Sequence, residues 1–256
     1  MLIGYSMPAV NLVALAAGSA WLTSDNGAAL FDGKPARASR LQRSSGNPTI
    51  NVTLASAIVV RVIALLGLNL PEGVTVTVAG TSGVTRRLAD GTVACWIVMP
   101  VSAATASISV VITTAQAVVQ IGELVIMPAV EVAHESDWSV NLVDPSQSER
   151  SLASQLATNP RQPYRQLTAS FTPDGLAAAR GGGLANGMDW ERLRFALTMD
   201  KRCAVIPRWR TTAGDVDAVE LSRTAIYGVA RVADIQHLQG DFYGSSIVAM
   251  EVPALT

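Results

Sequence analysis

The sequence is poor in the residues from which charged surfaces and most active sites are built. Of its 256 residues, 15% are charged, 5% are aromatic and two are histidines, and the formal net charge is −1. A protein held on nucleic acid by electrostatic attraction needs a basic patch or stripe, which this balance does not provide. A net charge near zero does little to keep copies of a chain apart, so it suits a subunit of an assembly.

The chain also has few cysteines. Cys95 and Cys203 share no local spacing, whereas a zinc site needs more ligands close together in sequence. We therefore predict that both are small buried apolar residues in a chain that folds in a reducing cytosol. We expect neither a metal nor a cofactor.

The sequence contains no stretch that predicts a membrane span. The apolar run Ala55–Leu70 is interrupted by Arg61 and Asn69 and is too short to cross a bilayer. Lys34 is the first basic side chain, and a secretory signal is unexpected without an earlier positive charge.

The motifs of common catalytic sites are incomplete. Gly244-Ser245-Ser246 lacks the closing glycine of a nucleophile elbow, and Gly33-Lys34 is followed by Pro35 rather than by the Ser or Thr of a phosphate-binding loop. Gly181–Gly183 precedes Asn186 where a dinucleotide-binding motif has glycine. These departures favour a protein that is not an enzyme. Glycosidases, which need only two carboxylates, stay open as an alternative.

Two polar clusters are candidate ion sites. His134-Glu135-Ser136-Asp137 combines metal-binding side chains, but a solvated linker is the preferred interpretation because one histidine alone is local. Asp215, Asp217 and Glu220 lack the glycine and the bidentate Glu of a calcium loop. We predict an exposed hairpin loop there.

The first half of the chain has the pattern of β-strands. In Thr49–Leu54 and Val74–Val78 apolar and polar residues alternate, which predicts strands with one buried face. Val59–Leu66 is continuously apolar, which predicts a central strand covered on both faces. Further strands are predicted at Val93–Met99, Ser107–Thr113 and Val118–Met127. Short strands separated by turn residues indicate a sandwich or a barrel.

The second half has a different organisation. Prolines and polar residues between 129 and 163 predict an extended linker, with a strand near Trp138–Val143. Alternating strands and one helix, over Gly187–Asp200, are predicted beyond it. The predicted fold is therefore mainly β. A sandwich of residues 1–128 and a linker of residues 129–163 are followed by a smaller β-rich α+β domain of residues 164–256.

Several short phrases resemble phage tail proteins that carry a galactose-binding-like module. They are Trp21–Arg43 (WLTSDNGAALFDGKPARASRLQR), Val62–Leu70, Ile121-Gly122-Glu123-Leu124, Arg165–Phe171, Cys203–Arg210 and Arg223–Gly228 (RTAIYG). The resemblance implies an amino-terminal jelly-roll and a structural role as a distal or minor tail protein. It also implies assembly in the host bacterial cytoplasm into a virion, as a ring of copies beside other phage tail proteins. A carbohydrate- or receptor-binding module that contacts a host surface glycan is the alternative.

Four residues are candidates for contacts between subunits. Trp138 lies in the predicted linker, and buried tryptophans dominate many interfaces. Arg37, Arg40 and Arg43 recur at intervals of three, and arginine is favoured at interfaces for its planar head with several donors. For the arginines, a solvated loop face is the preferred interpretation and a subunit interface is the alternative.

Overall fold

The computed structural model describes residues 1–150 and 156–254. The chain is mainly β, as the alternation of apolar and polar residues predicts. The strands that precede residue 132 are β1 (Leu2–Gly4), β2 (Val10–Leu15), β3 (Ser19–Trp21), β4 (Ser39–Arg43), β5 (Thr49–Ile58), β6 (Val62–Leu68), β7 (Thr75–Val78), β8 (Thr81–Val84), β9 (Arg86–Arg87), β10 (Val93–Val98), β11 (Thr105–Thr113), β12 (Val118–Ile121), β13 (Glu123–Met127) and β14 (Ala129–Glu131).

The remaining elements combine strands with short helices. The strands are β15 (Ser139–Val143), β16 (Gln147–Arg150), β17 (Leu156–Asn159), β18 (Tyr164–Ser170), β19 (Cys203–Ile206), β20 (Ile226–Val232), β21 (Gln236–His237), β22 (Tyr243–Gly244) and β23 (Ser246–Glu251). The α-helices are α1 (Leu176–Arg180), α2 (Trp190–Ala196) and α3 (Ala218–Thr224), and short 3-10 turns lie at Ala28–Phe31, Ala185–Gly187 and Gln239–Asp241.

A β-sandwich forms the amino-terminal part of the fold. The outer sheet has the order β2-β5-β11-β7-β8, and the sheet that faces it has the order β13-β6-β10-β9. Ile50, Val52 and Val76 from the outer sheet share one buried core with Ile63 and Ile97 from the facing sheet. The predicted inward face of the first strands is thereby confirmed. A small sheet, β12-β4-β3, contributes Leu41, Val119 and Ile121 to the same core.

The sheet β13-β6-β10-β9 is the middle layer of the molecule. Ile63 and Leu65 of β6 face the sandwich core, whereas Val62 and Ala64 face a second core. That second core is completed by side chains of the next sheet, including Ala204. The prediction that the apolar run around β6 is covered on both faces is therefore confirmed.

The third layer is a seven-stranded antiparallel sheet with the order β14-β1-β19-β20-β23-β18-β15. One face packs on the middle sheet, and the other packs on α1 and α2 through Trp190, Leu193 and Ala179. The structure differs here from the predicted boundary at residue 128. Leu2–Gly4 lies between β14 and β19, so the first residues belong to the sheet of the carboxyl-terminal part. The apolar side chains Leu2 and Ile3, both 0% exposed, hold this strand in place.

The predicted linker is largely structured. Ala129–Glu131 and Ser139–Val143 are the two edge strands of the seven-stranded sheet, and β16 and β17 form a hairpin between β15 and β18. The four prolines suggested a linker, but they lie at positions 128, 145, 160 and 163, between the strands. Of the predictions for this segment, the strand near Trp138–Val143 is confirmed.

Two further predictions need correction. The described part of the second half contains three helices rather than one. The short helical turn that the sequence allows over Asp174–Arg180 corresponds to α1. The segment predicted as a hairpin loop instead forms α3, where the Asp217 carboxylate accepts hydrogen bonds from the amides of Val219 and Glu220. The strand predicted over Val118–Met127 is divided at Gly122 into β12 and β13, which belong to different sheets. A Cβ at Gly122 would lie 2.0 Å from the Pro35 carbonyl oxygen. Only glycine allows this approach.

Candidate assembly surface

The three predicted interface arginines do not converge on one surface. The Arg37 guanidinium lies 3.6 Å from the Asp32 carboxylate. Arg40 is exposed on β4, opposite Gln120 of β12. Arg43 bonds the loop between β11 and β12, since its Nη1 donates to the Ala115 carbonyl at 3.2 Å. Two of the three guanidinium groups thus have partners within the chain.

Trp138, the fourth candidate, lies immediately before β15 and is half-buried. Its ring packs against the core between the seven-stranded sheet and the helices. The side chain therefore stabilises its own subunit, and only its exposed part is free to meet a neighbour. The features nearest to it are the open edge of the sheet and the hairpin that follows.

The direction of the backbone groups in β15 follows from its neighbour, β18. The Ser170 carbonyl accepts from the Glu135 amide on the side of β15, whereas the Phe171 amide donates to the Ser245 carbonyl on the side of β23. In a strand, the N–H and C=O of one residue point to the same side, and the side alternates from residue to residue. Even-numbered residues of β18 therefore direct their backbone groups at β15.

The register then identifies the outward-facing groups of β15. The even-numbered residues of β18 lie opposite Ser139, Asn141 and Val143. The backbone N–H and C=O groups of these three residues therefore point towards β18, inside the sheet. Val140 and Leu142 direct theirs away from the molecule. Within the described part of the chain, no strand pairs with this outer edge. Leu142 is 73% exposed.

This edge carries none of the usual protections. Natural edge strands are blunted by charged residues, proline or bulges, because unpaired N–H and C=O groups pair readily with another chain. The sequence of β15, SVNLV, has no charge and no proline, and its pairing with β18 is regular. The strand is thus suited to accept a further strand.

The hairpin β16–β17 forms a separate two-stranded sheet between β15 and β18 in the sequence. All four side chains of Gln147–Arg150 are exposed. Its base is fixed by Ser146, whose hydroxyl accepts from the Arg161 amide at 2.8 Å and whose amide donates to the Asp144 carboxylate at 2.9 Å. Hydrogen bonds from Ser146 lower the pKa of this fully exposed carboxyl below its usual range. We call β15 together with this hairpin the arm.

A hollow of about 260 Å³ lies beside the arm, at the junction with the sandwich. Leu142 lines it together with Leu88, Ala89, Pro163 and Tyr164. Apolar side chains from both halves of the molecule thus meet next to the open edge. Such a surface favours contact with another apolar group over contact with water.

A buried carboxyl group connects the layers elsewhere. Glu123 Oε1 accepts hydrogen bonds from the Tyr227 hydroxyl at 3.1 Å and from the Gly33 amide at 3.2 Å. Oε2 has no hydrogen-bond partner among the residues that the structure describes. Burial raises the pKa of Glu123 to about 8 and also raises the pKa of Tyr227. Glu123 is 0% exposed, so a substrate has no access to it. The hydrogen bond between Tyr227 and Glu123 therefore links the seven-stranded sheet to the sandwich.

A cleft of about 640 Å³ opens next to the Tyr227–Glu123 hydrogen bond. Its lining includes Pro8, Phe31, Gly33, Arg202 and Tyr227. Arg202 Nε donates to the Gly33 carbonyl at 3.1 Å, so the guanidinium is engaged within the wall. The sequence segment around Glu123 resembles part of a phage tail module, but that resemblance does not predict the hydrogen bond to Tyr227. A lone Glu within an otherwise apolar strand was the available signal.

The predicted polar cluster at 134–137 is organised around the chain start. His134 Nδ1 lies 3.0 Å from the Met1 amino nitrogen, which donates to the Val132 carbonyl. Burial lowers the pKa of the Met1 amino group to about 6, and burial together with this amino group lowers the pKa of His134. Among the described residues, no three His, Cys, Asp or Glu side chains are grouped to hold a metal ion.

Both cysteines are buried and unpaired, as the sequence predicts. Burial raises the pKa of each thiol to about 12, so neither is a reactive thiolate at neutral pH. In the part of the chain that the structure describes, no helix has the length and apolarity needed to cross a membrane. Searches with protein-family models, curated proteins and solved structures found no match to this chain.

Proposed function

We propose that this protein is a structural subunit of a bacteriophage tail, near its distal end, and that it acts through contacts with other chains. The observation that carries the proposal is the arm, because an unprotected sheet edge continues into a hairpin with exposed side chains. The short phrases that resemble phage tail proteins, among them Trp21–Arg43 and Arg223–Gly228, support the location. In this role the subunit is not an enzyme.

The physical argument concerns what the arm contributes to its own subunit. An isolated two-stranded hairpin is at best marginally stable in water, and the side chains of β16 are all exposed. Ordering these four residues costs conformational entropy, which their exposed side chains offset little. A neighbouring chain that covers the arm would supply the missing contacts.

The proposed partners are copies of this chain, arranged in a ring, and adjacent tail proteins. The formal net charge of −1 lets copies approach with little long-range repulsion. Closed cyclic arrangements are the usual result when identical subunits pack repeatedly. The proposed localisation is therefore the virion.

We do not extend the proposal to a host glycan. A polar hollow of about 300 Å³ on the sandwich includes Asn69, Arg87 and Gln120, but the amide of Asn69 bonds Val118 and Gln120 within the fold. Arg87 Nη1 likewise donates to the Gly91 carbonyl at 2.9 Å. These groups are used inside the protein, and no aromatic side chain lines the hollow for a sugar to stack on.

The test is to shorten the arm in the intact chain. Residues 147–159 are replaced by a two-residue turn, and incorporation into particles is measured by complementation of a phage that lacks the gene. We expect a folded protein by circular dichroism that is absent from purified particles. Val101→Ser, at a 76% exposed apolar side chain in a sandwich loop, is the matched control and should be incorporated normally. Normal incorporation of the shortened chain would refute the proposal.

A further inference from the structure

The open edge of β15 differs from the opposite edge of the same sheet. At that other edge β14 has three residues, and the turn Ala185–Gly187 lies against it. β15 has five residues and no covering element among those described. A further strand therefore has one favourable place to add to this sheet.

The sheet also restricts the direction of an added strand. Every pairing within the seven-stranded sheet is antiparallel. A second copy that is rotated by a two-fold axis perpendicular to the sheet presents its own β15 in the antiparallel direction. A two-fold contact uses the same patch on both copies, so the patch must complement itself.

The strand SVNLV meets that requirement in a single register. The outward-facing backbone groups belong to Val140 and Leu142, and in an antiparallel pair such residues must be opposite each other. Placing Val140 opposite Leu142 of the second copy satisfies this condition twice, because Leu142 is then opposite Val140 of that copy. Asn141 is left opposite itself on the two-fold axis. Other registers shorten the overlap or pair the strand with Asp144 or Pro145.

We infer that two copies of this chain associate through antiparallel pairing of their β15 strands about a two-fold axis at Asn141, which joins two seven-stranded sheets into one. The contact buries Leu142 beside Val140 of the second copy. No charged side chain lies on either strand. The inference rests on the proposed function and adds a separate contact to the proposed ring, since a two-fold contact closes after two subunits.

Residue 141 provides a test that is specific for the register. Its side chain is exposed, and among the described residues it bonds through a 3.4 Å contact from Nδ2 to the Ser139 hydroxyl. In the proposed pair the two Cα atoms at position 141 lie about 4.5 Å apart, where like charges oppose each other directly. Asn141→Lys and Asn141→Glu should each weaken association by roughly tenfold or more. A mixture of the two variants should restore it as a mixed dimer.

The experiment is sedimentation velocity and native mass spectrometry of the full chain over a range of concentrations. We expect wild type to form dimers, each single variant to be monomeric, and the equimolar mixture to contain the one-to-one species. Asn51→Lys and Asn51→Glu, at an exposed position of β5 in the sandwich, are the matched controls and should leave the dimer unchanged. Leu142→Pro removes an outward N–H that β18 does not use, and it should also give monomers.

Three results would overturn the inference. They are a monomeric wild type, single variants that dimerise like wild type, and a mixture that stays monomeric. The proposed function can fail separately, because it depends on particle incorporation of the shortened arm. A monomeric wild type whose shortened form is excluded from particles would refute the β15 contact alone. Dimers that behave as expected, from a chain that is incorporated into particles without its β16–β17 hairpin, would refute the tail role alone.

Discussion

The Tyr227 hydroxyl donates a 3.1 Å hydrogen bond to the Glu123 carboxyl and thereby joins the middle sheet to the seven-stranded sheet. Both side chains are buried, at 2% and 0% exposure. Burial of a carboxyl favours its neutral form, and this cost of ionisation makes the stability of the fold depend on pH.

The first prediction is that the fold loses stability as the pH rises from about 5 to about 8. The pKa of Glu123 is raised from 4.5 to about 8 in the folded chain, so its contribution is fully present below the unfolded value and is lost as the pH rises through the folded value. Each unit of pKa difference corresponds to about 1.4 kcal/mol. Glu123→Gln keeps the shape and removes the titration.

The measurement is urea unfolding of wild type and Glu123→Gln at pH 5 and pH 8.5. The variant should gain stability relative to wild type by a few kcal/mol at the higher pH. The Met1 amino group, with its pKa lowered to about 6, acts in the opposite direction, since its folded form binds fewer protons. The difference between the two proteins isolates Glu123. An equal pH dependence in both would contradict the assignment.

A second prediction concerns the faces of β7. Val76 is 0% exposed in the sandwich core, whereas its neighbour Thr75 is half-buried on the other face of the strand. Val76→Asp places an unpaired charge in that core and should cost more than about 3 kcal/mol of unfolding free energy. Thr75→Asp should cost about 1 kcal/mol or less. The measurement is thermal and urea unfolding of the two variants. Equal losses of unfolding free energy would show that the two faces of β7 are assigned incorrectly.

A third prediction concerns the point where the chain passes from β12 to β13. Gly122→Ala forces the new methyl group against the Pro35 carbonyl, which lies 2.0 Å from the ideal Cβ position. Displacing a strand from a close-packed interior should cost roughly 2 kcal/mol or more. Gly175→Ala is the control, because no atom lies within 4 Å of its Cβ and its φ of −73° is ordinary. Similar melting temperatures for the two variants would show that the contact with Pro35 is not restrictive.

Much of the sandwich could be predicted because its strands bury one face or both. Alternation at Ile50 and Val52 and the continuous run of β6 reflect burial directly. The position of β1 could not be predicted, since three residues are too few to show a period. Likewise the break at Gly122 depends on Pro35, which is close in space but distant in sequence.

The candidate assembly surface was predicted in part. Trp138 lies directly before β15, whose edge forms the candidate surface, but its ring packs on its own core. The open edge depends on which residues of β15 face away from β18, and that direction is set by pairing with Gln166 and its neighbours. No local pattern in the sequence encodes it. The arginines at 37, 40 and 43 repeat at intervals of three, yet a strand with period two separates Arg40 from Arg43 onto opposite faces.

The position of β1 also determines the order in which the protein can be completed during translation. Leu2 pairs with Glu131 on one side and with Ile206 on the other. β1 is made long before β14 and β19, so its apolar side chains stay uncovered until both of these strands have been made. Contacts between residues so distant in sequence slow folding, because a long loop must close before they form. The sandwich can assemble first. Pairing of β1 with β14 and β19 is then the late step that joins the sandwich to the seven-stranded sheet.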